Sequence, residues 1–124
     1  MLNRIKMPDQ RSGTTQKATV GAWEIYVTVN FYENSQPGEV FVKVGKEGSV
    51  ISGLMQVIAT QFSMMLQCGV PMDRITAKMN HHQFEPRDEA SNSIADLLAN
   101  VVQSICSDWG SHTSQDHTMQ EVKW

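Results

Sequence analysis

Two cysteines in 124 residues are too few for a disulfide framework. Cys68 and Cys106 both fall in helical sequence and read as small, reduced, buried hydrophobes. No apolar run is long enough to span a bilayer. The start, Met1-Leu2-Asn3-Arg4-Ile5-Lys6, lacks the apolar stretch of a signal peptide. The cytoplasm is therefore the expected compartment, with no membrane partner. Positive charge is also scarce: 10 Lys and Arg stand against 13 Asp and Glu, for a net charge of −3. A general binder of duplex nucleic acid would be basic, so that partner is not expected. A small anion held by a few local donors is still compatible with the charge. Catalytic signatures are missing too. No Ser or Cys lies in a nucleophile elbow or a Cys/His signature. His81 and His82 are adjacent and do not face one ion naturally. His112 and His117 fall in a polar tail, and no spacing matches a zinc or two-metal pattern. No catalytic residue, metal or cofactor is expected, and the chain does not read as an enzyme.

What is present suits one soluble domain with a modest core. Residues 1–12 are polar and read as an N-terminal arm. Thr14–Val20 is β-permissive. From Trp23 to Phe31 the residues Trp23, Ile25, Val27, Val29 and Phe31 alternate with polar or amphipathic ones. Strict period-two alternation predicts a half-buried antiparallel strand. Asn34-Ser35-Gln36-Pro37-Gly38 has turn composition, and Glu39–Val44 alternates as a return strand. Gly48-Ser49 then opens a long helix with Ser49 as N-cap. Its apolar residues, from Val50 and Ile51 to Met65 and Leu66, are wider than one stripe. A second helix or a second subunit must cover what the sheet does not. Gly69 closes this helix as a C′ residue, and Pro71 opens a short helix over Met72–Met79. After a loop, Ile94, Leu97, Leu98, Val101, Val102 and Ile105 mark an amphipathic helix that Gly110 ends. Ser111–Trp124 reads as a mobile tail. Strands followed by helices predict an α+β fold, an antiparallel sheet of about three strands with two or three helices on one face. Eight methionines are many for this length. They read either as adaptable core filling or as an adaptable surface for self-association.

Several strings together resemble a known family. They run Pro37-Gly38-Glu39-Val40-Phe41-Val42, Lys46-Glu47-Gly48-Ser49, Gly53-Leu54-Met55, Gln67-Cys68-Gly69-Val70-Pro71 and Phe84-Glu85-Pro86. Pro8, Arg11, Gly13, Thr15, Lys17 and Tyr26-Val27-Thr28-Val29 extend the match. This set resembles the TSCPD domain found at the C-terminal end of vitamin B12-dependent ribonucleotide reductases. The likeness covers most of the chain and fades after Ser93-Ile94-Ala95-Asp96; the domain is expected over residues 13–106, with 107–124 outside it. The Thr-Ser-Cys-Pro-Asp string itself is absent, and no catalytic barrel precedes the domain. The resemblance therefore implies a non-catalytic accessory or nucleotide-binding module.

The residues offer one place for such a ligand. Lys46, Gly48 and Ser49 form an anion-friendly corner at a helix start, where backbone amides lack intrahelical acceptors. Phe84, Glu85 and Arg87 supply a ring to stack a base, a carboxylate for a ribose hydroxyl and a guanidinium for phosphate. Asn92 adds a base-edge donor and acceptor. The plainer reading makes Gly48-Ser49 a turn and cap and Phe84 a loop anchor. The expected partners are a nucleotide or nucleotide-derived small molecule and further copies of the chain, as a dimer or higher homo-oligomer. An alternative function is a small oligomeric phage-type protein that sequesters a nucleotide-derived immune signal of the Thoeris or CBASS kind, in the host cytoplasm.

Replacing Cys68 and Cys106 together by Ala is expected to lower the melting temperature and leave ligand binding in place. Loss of binding by a variant with unchanged circular dichroism would contradict this reading.

Overall fold

A computed structural model describes residues 3–45 and 48–116. Three strands come first, β1 (Ser12–Val20), β2 (Trp23–Phe31) and β3 (Pro37–Val44). Three helices follow, α1 (Val50–Gln67), α2 (Met72–Ala77) and α3 (Ile94–Asp116). The sheet is antiparallel in the order β1-β2-β3, and its register pairs Val20 with Trp23, Ile25 with Val44 and Val29 with Val40. The alternation seen in the sequence has its expected consequence. Ile25, Val27, Val29 and Phe31 are buried on one face together with Val40, Val42 and Val44. Tyr26 and Phe41 stand exposed on the other. α1 covers β3, and α3 crosses β1 and β2 on that same buried face. The α+β architecture is as expected.

Both long helices run the same way. Ser63 Oγ bonds the backbone of Val40, and Gln67 Nε2 donates to Gly38 O at 2.9 Å. The end of α1 therefore sits over the start of β3. Trp109, in α3, stacks on Phe31 at the end of β2, with centroids 4.5 Å apart and planes 2° from parallel. The starts of α1 and α3 consequently lie at the opposite end of the sheet, beside the β1–β2 turn.

Several boundaries differ from expectation: β1 begins at Ser12 rather than Thr14, and β3 takes in Pro37-Gly38 from the expected turn. The described part of the N-terminal arm is strapped down. Ile5 N–H donates to Gln67 O at 2.9 Å, Tyr32 Oη donates to Ile5 O, and Met7 is buried. Arg11 Nη1 holds both oxygens of Glu39 at 2.8 Å. Gly110 does not end α3, which continues to Asp116. An interior Gly costs a helix only about 1 kcal/mol, and the preceding turn is pinned by the Trp109–Phe31 stack. Residues 107–116 thus belong to the helix, and the rest of the proposed tail, 117–124, lies outside the described residues. α2 is shorter than the Met72–Met79 expected and stops at Ala77. Elsewhere, α1 keeps its Ser49 cap, with Ser49 Oγ accepting from Ser52 N–H at 3.1 Å. Gly69 follows Cys68 at φ +95°, as a C′ residue should.

Two glycines of the recognised strings are steric requirements. A Cβ on Gly13 would lie 2.2 Å from Val29 O and from Asn30 Oδ1. One on Gly38 would lie 2.3 Å from Met7 Sδ and 2.7 Å from Tyr32.

Trp109→Ala removes the stack and a half-buried ring. It is expected to cost about 2 kcal/mol, below the ~3–5 typical of a fully buried aromatic. Urea unfolding followed by circular dichroism measures it, and an unchanged midpoint would show that α3 is not held there.

Candidate functional site

The segment between α2 and α3 has no regular structure, yet two aspartates organise it. Asp96, buried in the first turn of α3, accepts His81 N–H on Oδ1 at 2.8 Å and Asn92 N–H on Oδ2 at 3.1 Å. Ser93 Oγ accepts Asp96 N–H at 3.0 Å, which caps the helix. Asp88 works from the surface. Its Oδ2 accepts Gly21 N–H at 2.9 Å, and its Oδ1 accepts Ala90 and Ser91 N–H at 3.0 and 2.9 Å. Phe84 N–H donates to Asn92 O at 3.1 Å, closing the loop. The loop is thereby fixed to α3 at its base and to the β1–β2 turn at its tip. Sequence reasoning missed both aspartates. The Ser93-x-x-Asp96 spacing was the available signal for one of them.

This loop carries four of the seven candidate residues. Phe84 is 45% exposed, so its ring does not anchor the loop in the core. Arg87 Nε donates to Glu85 Oε2 at 3.1 Å, and both side chains are solvated. Asn92 contributes two backbone bonds that hold Phe84 and Asp96. The carboxylate of Glu85 is thus committed to Arg87 rather than standing apart from it.

The other half of the site is only partly in view. Lys46 lies outside the described residues. Gly48 has φ +80° and open space around it, and Ser49 uses its hydroxyl to cap α1. The plainer turn-and-cap reading describes that hydroxyl. The fold brings this corner and the Phe84–Arg87 loop to the same end of the sheet, one over β3 and the other over the β1–β2 turn. A groove of about 640 Å³ lies elsewhere, between β3 and α1, lined by residues such as Arg4, Lys43, Gln56 and Thr60. None of the six candidates among the described residues lines it.

Burial pushes the Cys106 thiol up to about 11, so it is protonated at neutral pH. Cys68 and Cys106 are both free and half-buried, and Cys68 lies just past α1 rather than within it. Among the described residues no three His, Cys, Asp or Glu side chains are grouped to hold a metal ion. α1 does meet the length and composition of a membrane-spanning helix, at mean hydropathy 1.2, which the sequence reading overlooked. Its Met55, Ala59, Phe62 and Leu66 are nonetheless buried against the sheet, as in the core helix of a globular domain.

Comparison with known proteins gives a consistent result. The TSCPD domain profile matches residues 3–105. A vitamin B12-dependent ribonucleotide reductase of Rhodopirellula baltica is 37% identical over 102 residues, 82% of this chain and 10% of that protein. The enzyme of the same name from Streptantibioticus cattleyicolor is 40% identical over 102 residues, 82% of this chain and 17% of its own length. That of Bradyrhizobium diazoefficiens is 38% identical over 86 residues, 69% of this chain and 7% of its own. The chain spans about a tenth of the length of the first of these relatives. No solved structure matches it.

Acid tests the loop anchorage. The Asp88 carboxyl is held below its ordinary value of 3.8, foremost by the Gly21 N–H and then by Ser91, with Ala90 adding less. A native pKa below the unfolded one stabilises above the unfolded value, and the effect is lost as pH falls through the native value. The Gly21, Ala90 and Ser91 amide resonances are therefore expected to shift together only below about pH 4. Asp88→Asn should show altered shifts at neutral pH and no acid step. Three unrelated titrations in the wild type would contradict the shared anchor.

Proposed function

We propose, for a chain that belongs to the TSCPD domain family, the role of a non-catalytic, nucleotide-binding accessory module. The observation that carries this reading is the extent of the match. It takes in most of this chain and about a tenth of a vitamin B12-dependent ribonucleotide reductase. What is shared with those enzymes is one domain. The working compartment in this reading is the cytoplasm.

Nucleotide binding is supported by the loop chemistry. Phe84 presents a solvated ring, and Arg87 presents a guanidinium three residues away on the same anchored segment. A loop already held by Asp88 and Asp96 loses little conformational entropy when a ligand arrives. Irregular segments fixed in this way are common carriers of function. The ring suits a base, and the guanidinium suits a phosphate in forked geometry. Arg87 must exchange Glu85 for that phosphate, which favours ligands with more than one negative charge. Gly48 and the first amides of α1 supply a second anion-binding contact at the same end of the sheet, and Lys46 adds a positive charge two residues earlier in the sequence.

Calorimetry with a panel of nucleoside mono-, di- and triphosphates and cyclic nucleotides tests the reading. Arg87→Ala and Lys46→Ala should each weaken binding about ten- to hundred-fold, the value of one charge-assisted hydrogen bond of ~1.5–3 kcal/mol. Phe84→Ala should weaken it through lost stacking. A wild type that binds no nucleotide, or three variants that bind as well as it does, would refute the assignment.

A further inference from the structure

α1 is apolar on two opposite faces. Met55, Ala59, Phe62 and Leu66 turn inward and are buried. On the far side Val50 is 78% exposed, Leu54 57%, Val57 54% and Met64 45%. With Gln61 these positions alternate four and three residues apart: 50, 54, 57, 61, 64. That is the spacing of a seam that pairs with another helix. α2 and α3 leave it open. Beside the seam, a groove of about 370 Å³ runs between α1 and α2, floored by Ile58, Phe62, Met65 and Met79 and rimmed by Arg74 and Lys78.

We propose that this face is the interface of a two-fold dimer in which α1 of one chain lies antiparallel to α1 of a second copy. Three observations single out a second copy as the occupant. α1 carries no charged residue in its 18 positions. A two-fold contact sets a surface against its own image, and a helix without charge meets no repulsion along the seam, Arg74 and Lys78 standing only at the rim of the groove beside it. The shape is also self-complementary. Val50 and Leu54 protrude at one end of the seam, and the Met65–Met79 groove opens at the other. Antiparallel pairing seats each protrusion at the partner's groove twice over. Leu54 then faces Met64 of the other copy, and Val57 faces Gln61, a single polar seam position of the kind that fixes register. The size is suitable as well. An 18-residue helix is about 27 Å long. Its open apolar side chains present roughly 400 Å² per protomer, a patch of the scale that marks interaction sites. That apolar patch alone is about half of the ~800 Å² per partner of a standard interface, the scale of a small two-fold contact. This inference does not rest on nucleotide binding.

Light scattering on the full chain at micromolar concentration should give twice the chain mass. Leu54→Glu with Met64→Glu should weaken the dimer at least about hundred-fold, giving a monomer with unchanged circular dichroism. In a background of Cys68→Ala and Cys106→Ala, Leu54→Cys and Met64→Cys chains should be cross-linked by a short bis-maleimide when mixed and far less when alone. A wild-type monomer at tens of micromolar, or a glutamate variant that stays dimeric, would overturn the proposal. So would single-cysteine chains that cross-link as well alone as mixed, since that result means parallel pairing. A monomeric wild type that sediments with phosphatidylcholine–phosphatidylglycerol vesicles would overturn it in favour of a lipid surface.

Discussion

The side-chain amide of Gln67 is the joint on which the rest of this domain depends. Its Nε2 donates to Gly38 O at the start of β3, and its Oε1 accepts from Arg4. Its backbone carbonyl receives Ile5 N–H. One buried residue thus ties the end of α1 to the sheet and to the N-terminal arm. A buried amide with every partner in place is stabilising, whereas an unpaired partner costs ~1–3 kcal/mol. Ser63, one turn earlier, repeats the device by bonding both backbone groups of Val40. Because β3 is an edge strand, Val40 has no neighbouring strand to satisfy those groups. These contacts set the axial position of α1, and so decide which of its faces meets the sheet and which meets solvent.

A buried carboxylate reinforces that end of the molecule. Glu39 accepts Asn30 Nδ2 at 2.7 Å as well as both bonds from Arg11. A buried charge is tolerable only when it is paired and hydrogen-bonded, and Glu39 is both. Many residues of the family-like strings, among them Arg11, Gly13, Pro37-Gly38-Glu39 and Gln67, gather here. Their role in this structure is architectural: they clamp the arm, the hairpin and α1 together. The solvated ring and guanidinium lie at the other end of the sheet, on a loop fixed by Asp88 and Asp96. The domain thereby separates what holds it together from what it presents.

Much of the fold was legible because the governing signals are local. Alternation in β2 and β3 follows from the two-residue repeat of a strand, and each side chain reports its own face. The Ser49 cap and the Gly69 terminus depend on dihedrals within a few residues. The excess apolar width of α1 was visible as well, and Val50, Leu54 and Val57 do remain open. The candidate loop was legible in composition: Phe84, Glu85, Arg87 and Asn92 were chosen for their chemistry and do share one segment. Its rigidity was not legible, because the acceptors that hold it reach Gly21 and His81, 67 and 15 residues away.

The sequence by itself determined element type, element order and the family, since each rests on local periodicity or on strings of adjacent residues. Only the tertiary structure decided that the arm is docked, that Trp109 belongs to the domain through Phe31, and that Lys46's neighbours Gly48 and Ser49 share a sheet end with Phe84 and Arg87. Those are pairings between distant positions. No propensity or spacing encodes them, because their free energy exists only after the sheet and the two long helices have fixed where each partner stands.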